Sequence, residues 1–155
     1  MDITTRLEFA AAPQDVYAML TDQAYLVEVC QATESTRYEA TVNGSSTNTT
    51  RTFPAPDAVA RFTGAELTVT EQTVWSGAAD GQRTGELTMS VKGQPVTMRG
   101  RITLGAGGPG TVVALTGELK VAIPLLGKKL EQSTAPTVLA GFQTQQDVGN
   151  RWLAR

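Results

Sequence analysis

The stretch Val121-Ala122-Ile123-Pro124-Leu125-Leu126-Gly127-Lys128-Lys129-Leu130-Glu131 is where the hydrophobic period of the chain changes. Upstream, Val113, Leu115, Gly117, Leu119 and Val121 fall on alternate positions, with Glu118 and Lys120 on the other parity. That period of two predicts a strand over 111–122 with one buried face. Downstream, Leu126, Leu130, Thr134, Val138, Gly141 or Phe142, Gln145, Val148 and Trp152 recur every three or four residues, which predicts one long helix over 125–153. Pro136 falls inside it, where its missing N–H should bend the helix or leave one turn unsatisfied.

Toward the N-terminus, Ile3, Thr5, Leu7 and Phe9 alternate with polar residues and predict a strand over 2–10. Pro13 suits a first helical turn, and Val16, Tyr17, Met19 and Leu20 make a short amphipathic helix. Asp22 interrupts and re-caps it, and Tyr25, Leu26, Val29 and Cys30 form the apolar side of a second short helix to about Gln31. From Glu34 to Leu104 the chain is threonine-rich and β-branched, with turn signals between its segments. Strands are predicted over 34–42 and 45–53, joined at Asn43-Gly44, then over 66–75, 83–91 and 95–104, with a break at Lys92-Gly93-Gln94. Pro54 through Gly64 reads as a connector or one short helix. The fold class is therefore α+β: a curved antiparallel sheet of six to seven strands wrapped around a long C-terminal helix, with two short helices after the first strand closing one end of the groove.

A length of 155 residues is that of a single domain, 1–155, with no room for separate cofactor and substrate domains. Hydrophobic residues at 41% and charged residues at 18% suit a chain that folds alone. A net charge of −2 with no basic block lacks the electrostatic footprint of nucleic-acid binding. Zero histidine excludes Ser-His-Asp and Cys-His relays and any His-containing metal site, and the lone Cys30 supports neither an internal disulfide nor a thiolate cluster. No metal, cofactor or catalytic residue is predicted. The opening MDITTRLEF has no basic n-region and no apolar run reaches membrane-span length, so the expected location is the cytoplasm, with no integral membrane segment.

Two stretches carry a family resemblance. Ala11-Ala12-Pro13-Gln14-Asp15-Val16-Tyr17-Ala18-Met19-Leu20-Thr21-Asp22 is a small-residue Pro turn opening a helix that an Asp separates from the next, and Val121 to Glu131 is a strand running through Pro and Gly into the last helix, followed by Arg151-Trp152-Leu153. With Trp75, these resemble the START-like superfamily, also called SRPBCC or the helix-grip fold, of lipid-transfer domains, pollen allergens and polyketide cyclases. Within it they are similar to an uncharacterised actinobacterial branch, a domain of unknown function. The resemblance covers the whole chain in element order and implies the helix-grip fold; it says little about activity, because members bind, carry or cyclise very different molecules.

Gly105-Ala106-Gly107-Gly108-Pro109-Gly110 spells GxGxxG, but a dinucleotide fingerprint needs a helix after it, and Thr111-Val112-Val113-Ala114-Leu115 reads as a strand. An exposed, mobile hairpin loop is expected instead. Asn43-Gly44-Ser45 and Asn48-Thr49-Thr50 match the glycosylation sequon, yet read as turn and strand without a secretion signal. Cys30 is expected to be a buried, inert thiol. Glu71 shares an inward parity with Leu67, Val69, Thr73 and Trp75, where an ionised carboxylate is costly unless paired. Arg83, on the inward parity of the next strand, is a candidate partner or anchor of a ligand headgroup; the favoured reading is that a bulge or strand end puts both in solvent.

The small residues on offer, Gly85, Gly100, Gly117 and Gly141, should not fill the space between sheet and helix, so a cavity is expected, lined by some of Trp75, Leu87, Met89, Met98, Leu115, Leu119, Leu130 and Phe142, with Glu71 and Arg83 as its polar groups. The favoured function is binding or carriage of a hydrophobic or amphipathic small molecule, a lipid, isoprenoid or polyketide. The alternatives are a polyketide cyclase or aromatase-like enzyme, against which the missing histidine weighs, and a protein-interaction module like the chaperone-activating relatives. Oligomeric state is not readable from the sequence.

Overall fold

A computed structural model describes residues 1–155, the side chain of Ala58 excepted. The alternating N-terminal segment forms β1 (Asp2–Phe9), with Ile3, Leu7 and Phe9 buried. Helix α1 (Pro13–Leu20) starts on Pro13, whose missing N–H is no loss in a first turn. Asp22 caps α2 (Gln23–Ala32), its Oδ1 accepting the Ala24 N–H at 2.8 Å. There follow β2 (Arg37–Asn43), β3 (Ser46–Pro54), α3 (Asp57–Thr63), β4 (Glu66–Trp75), β5 (Arg83–Val91), β6 (Val96–Gly107), β7 (Gly110–Val121) and α4 (Gly127–Leu153).

The seven strands make one antiparallel sheet in the order β1-β7-β6-β5-β4-β3-β2. All strands but β1 thus form a meander, and β1 adds itself beyond β7. Helix α4 lies against β1 and β7 and is flanked by α2 and α3. Its buried residues, Leu130, Ala135, Phe142, Val148 and Gly149 among them, face the sheet. This is the helix-grip architecture.

Four local expectations need correction. Strand β2 begins at Arg37 rather than 34, because α2 runs to Ala32 and Glu34 then takes a left-handed φ of 58° that no strand accommodates. The β2–β3 turn is Gly44-Ser45 rather than Asn43-Gly44: Asn43 still pairs with Ser46, and Gly44 supplies the φ of 61° that reverses the chain. The Gly105–Gly110 segment is a hairpin with an exposed turn, but most of it is strand rather than loop. Gly105 to Gly107 extend β6, Gly107 pairs with Gly110, and only Gly108-Pro109 is left as the turn. A Cβ on Gly110 would stand 2.6 Å from the Ala11 carbonyl oxygen, so glycine there serves a close approach to the α1 entry, and a strand follows it as expected. Finally, α4 starts at Gly127 because Pro124-Leu125-Leu126 forms a turn, with Leu125 at φ 68° and its side chain wholly exposed. The helix runs unbroken through Pro136. Pro136 and Gln132, whose carbonyl loses its usual donor, both face outward, where solvent replaces the bond.

Candidate functional site

The space between sheet and α4 is filled unequally. Toward the C-terminal end of α4, Phe9, Val16, Met19, Tyr25 and Val148 are almost wholly buried against one another, and Gly149 lets the helix descend onto Phe9. Tyr25 meets Trp152 edge-on at 6.1 Å and donates its hydroxyl to the Gln145 carbonyl at 2.8 Å. Burial, helped by the negative charge of Glu71, pushes the Tyr25 phenol far above its ordinary range and keeps it neutral.

Toward the other end a pocket of about 350 Å³ remains. Leu67, Val69, Met89, Val91, Met98 and Leu119 form its sheet wall, Thr137, Val138, Gly141 and Phe142 its α4 wall, and Phe53, Val59 and the α2 C-terminus its side. A second, much smaller void of about 60 Å³ lies deeper, among Leu7, Trp75, Leu87, Ile102 and Leu115. Glu71, Phe142 and Gln145 border both spaces and so stand between them.

Glu71 faces inward, as its parity predicted, but its partner is not Arg83. Arg51 of β3 donates from Nη2 to Glu71 Oε2 at 3.3 Å, and Gln145 of α4 donates from Nε2 to Glu71 Oε1 at 3.4 Å. Both charged side chains are enclosed, Arg51 at 8% and Glu71 at 13% exposure. Arg51 Nε is fully buried and has no hydrogen-bond partner among the described residues. Cys30 is buried nearby: burial pushes its thiol up, the Arg51 charge opposes this and the Glu71 charge adds to it, which suits an unreactive thiol.

Arg83 lines neither space because it sits at the first position of β5, on the inward parity but at the end of the strand, over a different neighbour. Its guanidinium lies 3.6 Å from the centre of the Tyr17 ring and donates to the Ser76 carbonyl at 2.9 Å. Tyr17 in turn meets Trp75 edge-on at 5.9 Å. Of the apolar residues expected around a guest, Met89, Met98, Leu119 and Phe142 line the larger pocket, whereas Trp75, Leu87 and Leu115 line only the small void. Leu130 lines neither and packs with Val59 and Val121 in a separate cluster at the start of α4.

Most of the glycines expected to leave a cavity do not border one. The space beside Gly85 is taken by the Trp75 ring, that beside Gly100 by Leu115, and Gly117 is needed for a 2.6 Å approach to the Arg99 carbonyl oxygen. Only Gly141 borders the pocket. The residues that the sequence reading missed are Arg51, unread within the Asn48-Thr49-Thr50-Arg51-Thr52 run, and Val138 and Gln145, read as helix stripe alone. The signal was present for Arg51: once the hairpin is paired, Thr47, Thr49 and Arg51 share the inward parity, next to β4.

The family described as "Protein of unknown function (DUF2505)" matches residues 4–153. No curated protein matches the chain. Among solved structures, protein TTHA0849 from Thermus thermophilus superposes with a TM-score of 0.63 at 18% identity, over 96% of this chain and 97% of the other. A STAR-related lipid transfer protein from Xanthomonas axonopodis gives 0.66 at 16% identity, over 99% and 86%. The di-domain ARO/CYC StfQ of the steffimycin biosynthetic pathway gives 0.59 at 15% identity, over 97% of this chain and 50% of that longer one. At such identities the likeness is one of fold.

Proposed function

We propose that this chain, which belongs to the DUF2505 family, holds a hydrophobic or amphipathic small molecule of lipid, isoprenoid or polyketide character between its sheet and α4. The reading treats 1–155 as one domain and needs no metal or cofactor. The observation that carries it is the pocket of about 350 Å³, apolar on most of its wall, in a chain whose other half leaves a void of only about 60 Å³. Protein interiors normally fill such space, because unfilled apolar volume costs stability at ~24 cal/mol per Å³. Ligand pockets run from ~300 Å³ upward, so a small or medium guest fits. The fold shared with a lipid transfer protein and an ARO/CYC supports the reading.

Native mass spectrometry of freshly purified protein, followed by thermal unfolding with a panel of fatty acids, fatty alcohols and isoprenoids, tests it. A guest that binds only the folded state raises stability by about 2.7 kcal/mol at a hundredfold excess over its dissociation constant. Adducts or such shifts are expected. Neither a co-purified guest nor any shift across the panel would contradict the reading.

A further inference from the structure

We infer that the guest carries an uncharged oxygen, a hydroxyl or a carbonyl, that docks on Arg51; this rests on the guest-binding reading above. Arg51 lies on the pocket wall with its side chain more than nine-tenths enclosed. A guanidinium is a fan of N–H donors, and here a single hydrogen bond engages it among the described residues, the Nη2 bond to Glu71, while Nε is enclosed without a partner. That bond, at 3.3 Å, and the Gln145 bond to Glu71, at 3.4 Å, are both longer than the common range of ~2.7–3.2 Å. A pair serving only to brace the fold would be expected to saturate its donors, since a buried unmet donor is costly. The cluster instead has donor capacity left over on a wall that is apolar over most of its area.

Charge decides what kind of acceptor completes it. Arg51 and Glu71 already neutralise one another. A carboxylate guest docked on this enclosed pair would add a net negative charge beside Glu71, in a pocket that also has Glu34 on its rim, and an unbalanced buried charge is strongly disfavoured. A hydroxyl accepts from Arg51 and donates to Glu71; a carbonyl accepts from Arg51 alone. Neither changes the net charge. The polar end of the guest is thereby placed at the partition formed by Glu71, Phe142 and Gln145, with its apolar body against Met89, Met98 and Val138.

The test uses four probes of matched chain length, decanol, methyl octyl ketone, decanoate and decane, at neutral pH, with dissociation constants measured for the wild type and for Arg51→Met/Glu71→Met. Replacing both partners leaves no orphaned charge, so that variant should fold. Decanol and the ketone should each lose about tenfold or more in affinity in the double variant, as expected for a hydrogen bond to a charged group, while decane keeps or gains affinity. Arg51→Lys keeps the charge but not the planar donor set, and should weaken both oxygenated probes without affecting decane; it serves alone if the double variant does not fold. The inference is overturned if decane binds while both substitutions leave the oxygenated probes unchanged, or if decanoate binds the wild type more tightly than decanol. Failure of all four, decane included, would overturn the guest-binding reading itself.

Discussion

Gly141 and Gly149 lie about two turns apart on α4 and meet opposite surroundings. A Cβ on Gly149 would stand 2.5 Å from Cε1 of Phe9 and 3.0 Å from Cε of Met19, whereas one on Gly141 would meet nothing within 4 Å. The same helix on the same sheet thus has a closed half and an open half. The difference comes from side-chain reach. Near Gly149 the facing residues are Phe9, Met19 and Tyr25; around Gly141 the helix presents Thr137, Val138, Ala140 and Thr144, too short to cross to the sheet. The pocket therefore follows from which side chains meet between helix and sheet in each half, and the Arg51–Glu71 pair sits where the two halves meet.

The boundary should give the largest effect. Arg51→Met leaves Glu71 enclosed without its cation, and urea unfolding should show a loss of about 3–5 kcal/mol. The Arg51→Met/Glu71→Met double variant should lose far less; equal losses would mean that the pair does not act as a unit. Next comes Gly149→Ala, whose methyl has no room beside the buried Phe9 ring. Overpacking at ~1–3 kcal/mol, less about 1 kcal/mol of improved helix propensity, leaves a net destabilisation of roughly 1 kcal/mol. Gly141→Ala should move stability the other way, up by about 0.5–1 kcal/mol in the same assay, because the helix gains and nothing is displaced. A loss there would erase the contrast between the halves.

The smallest effect lies outside both halves. Leu125 holds a φ of 68° with its side chain in solvent, so Leu125→Gly releases left-handed strain of ~1–2 kcal/mol against a backbone-entropy cost of ~0.5–1 kcal/mol. A gain of about 0.5 kcal/mol in thermal unfolding is expected. Lower stability would show that Leu125 makes contacts that its exposure denies.

Alternation and helical period carried the architecture, because each strand with one buried face writes its own parity: Ile3, Leu7 and Phe9 in β1, and Val113, Leu115, Leu119 and Val121 in β7, are all buried. The candidate site was legible only where parity alone suffices. Glu71 could be placed inward from its own strand, but naming its partner requires knowing which neighbouring strand brings a cation across the ladder. In β3, threonine occupies both faces, and Thr47, Thr49 and Thr52 are all buried, so the apolar contrast that exposes a register is missing at the very place where Arg51 stands. Arg83 had the right parity and the wrong height, since it opens its strand beside Tyr17. Which glycines border empty space is likewise a three-dimensional matter: Gly85 and Gly100 look as bare as Gly141 in sequence, but Trp75 and Leu115 cover them.

Whether the open half holds a guest can be decided by filling it. Val138 is half-buried on the α4 wall of the pocket, so Val138→Trp places a large ring in the empty space. Thermal unfolding of the wild type and this variant, each with and without saturating decanol, is the measurement. The wild type should gain about 2.7 kcal/mol at a hundredfold excess over the dissociation constant, while the variant, as stable as the wild type to within about 1 kcal/mol, gains nothing. A variant destabilised by the ~1–3 kcal/mol of an overpacked core, together with a wild type that decanol leaves unchanged, would contradict a guest-holding open half.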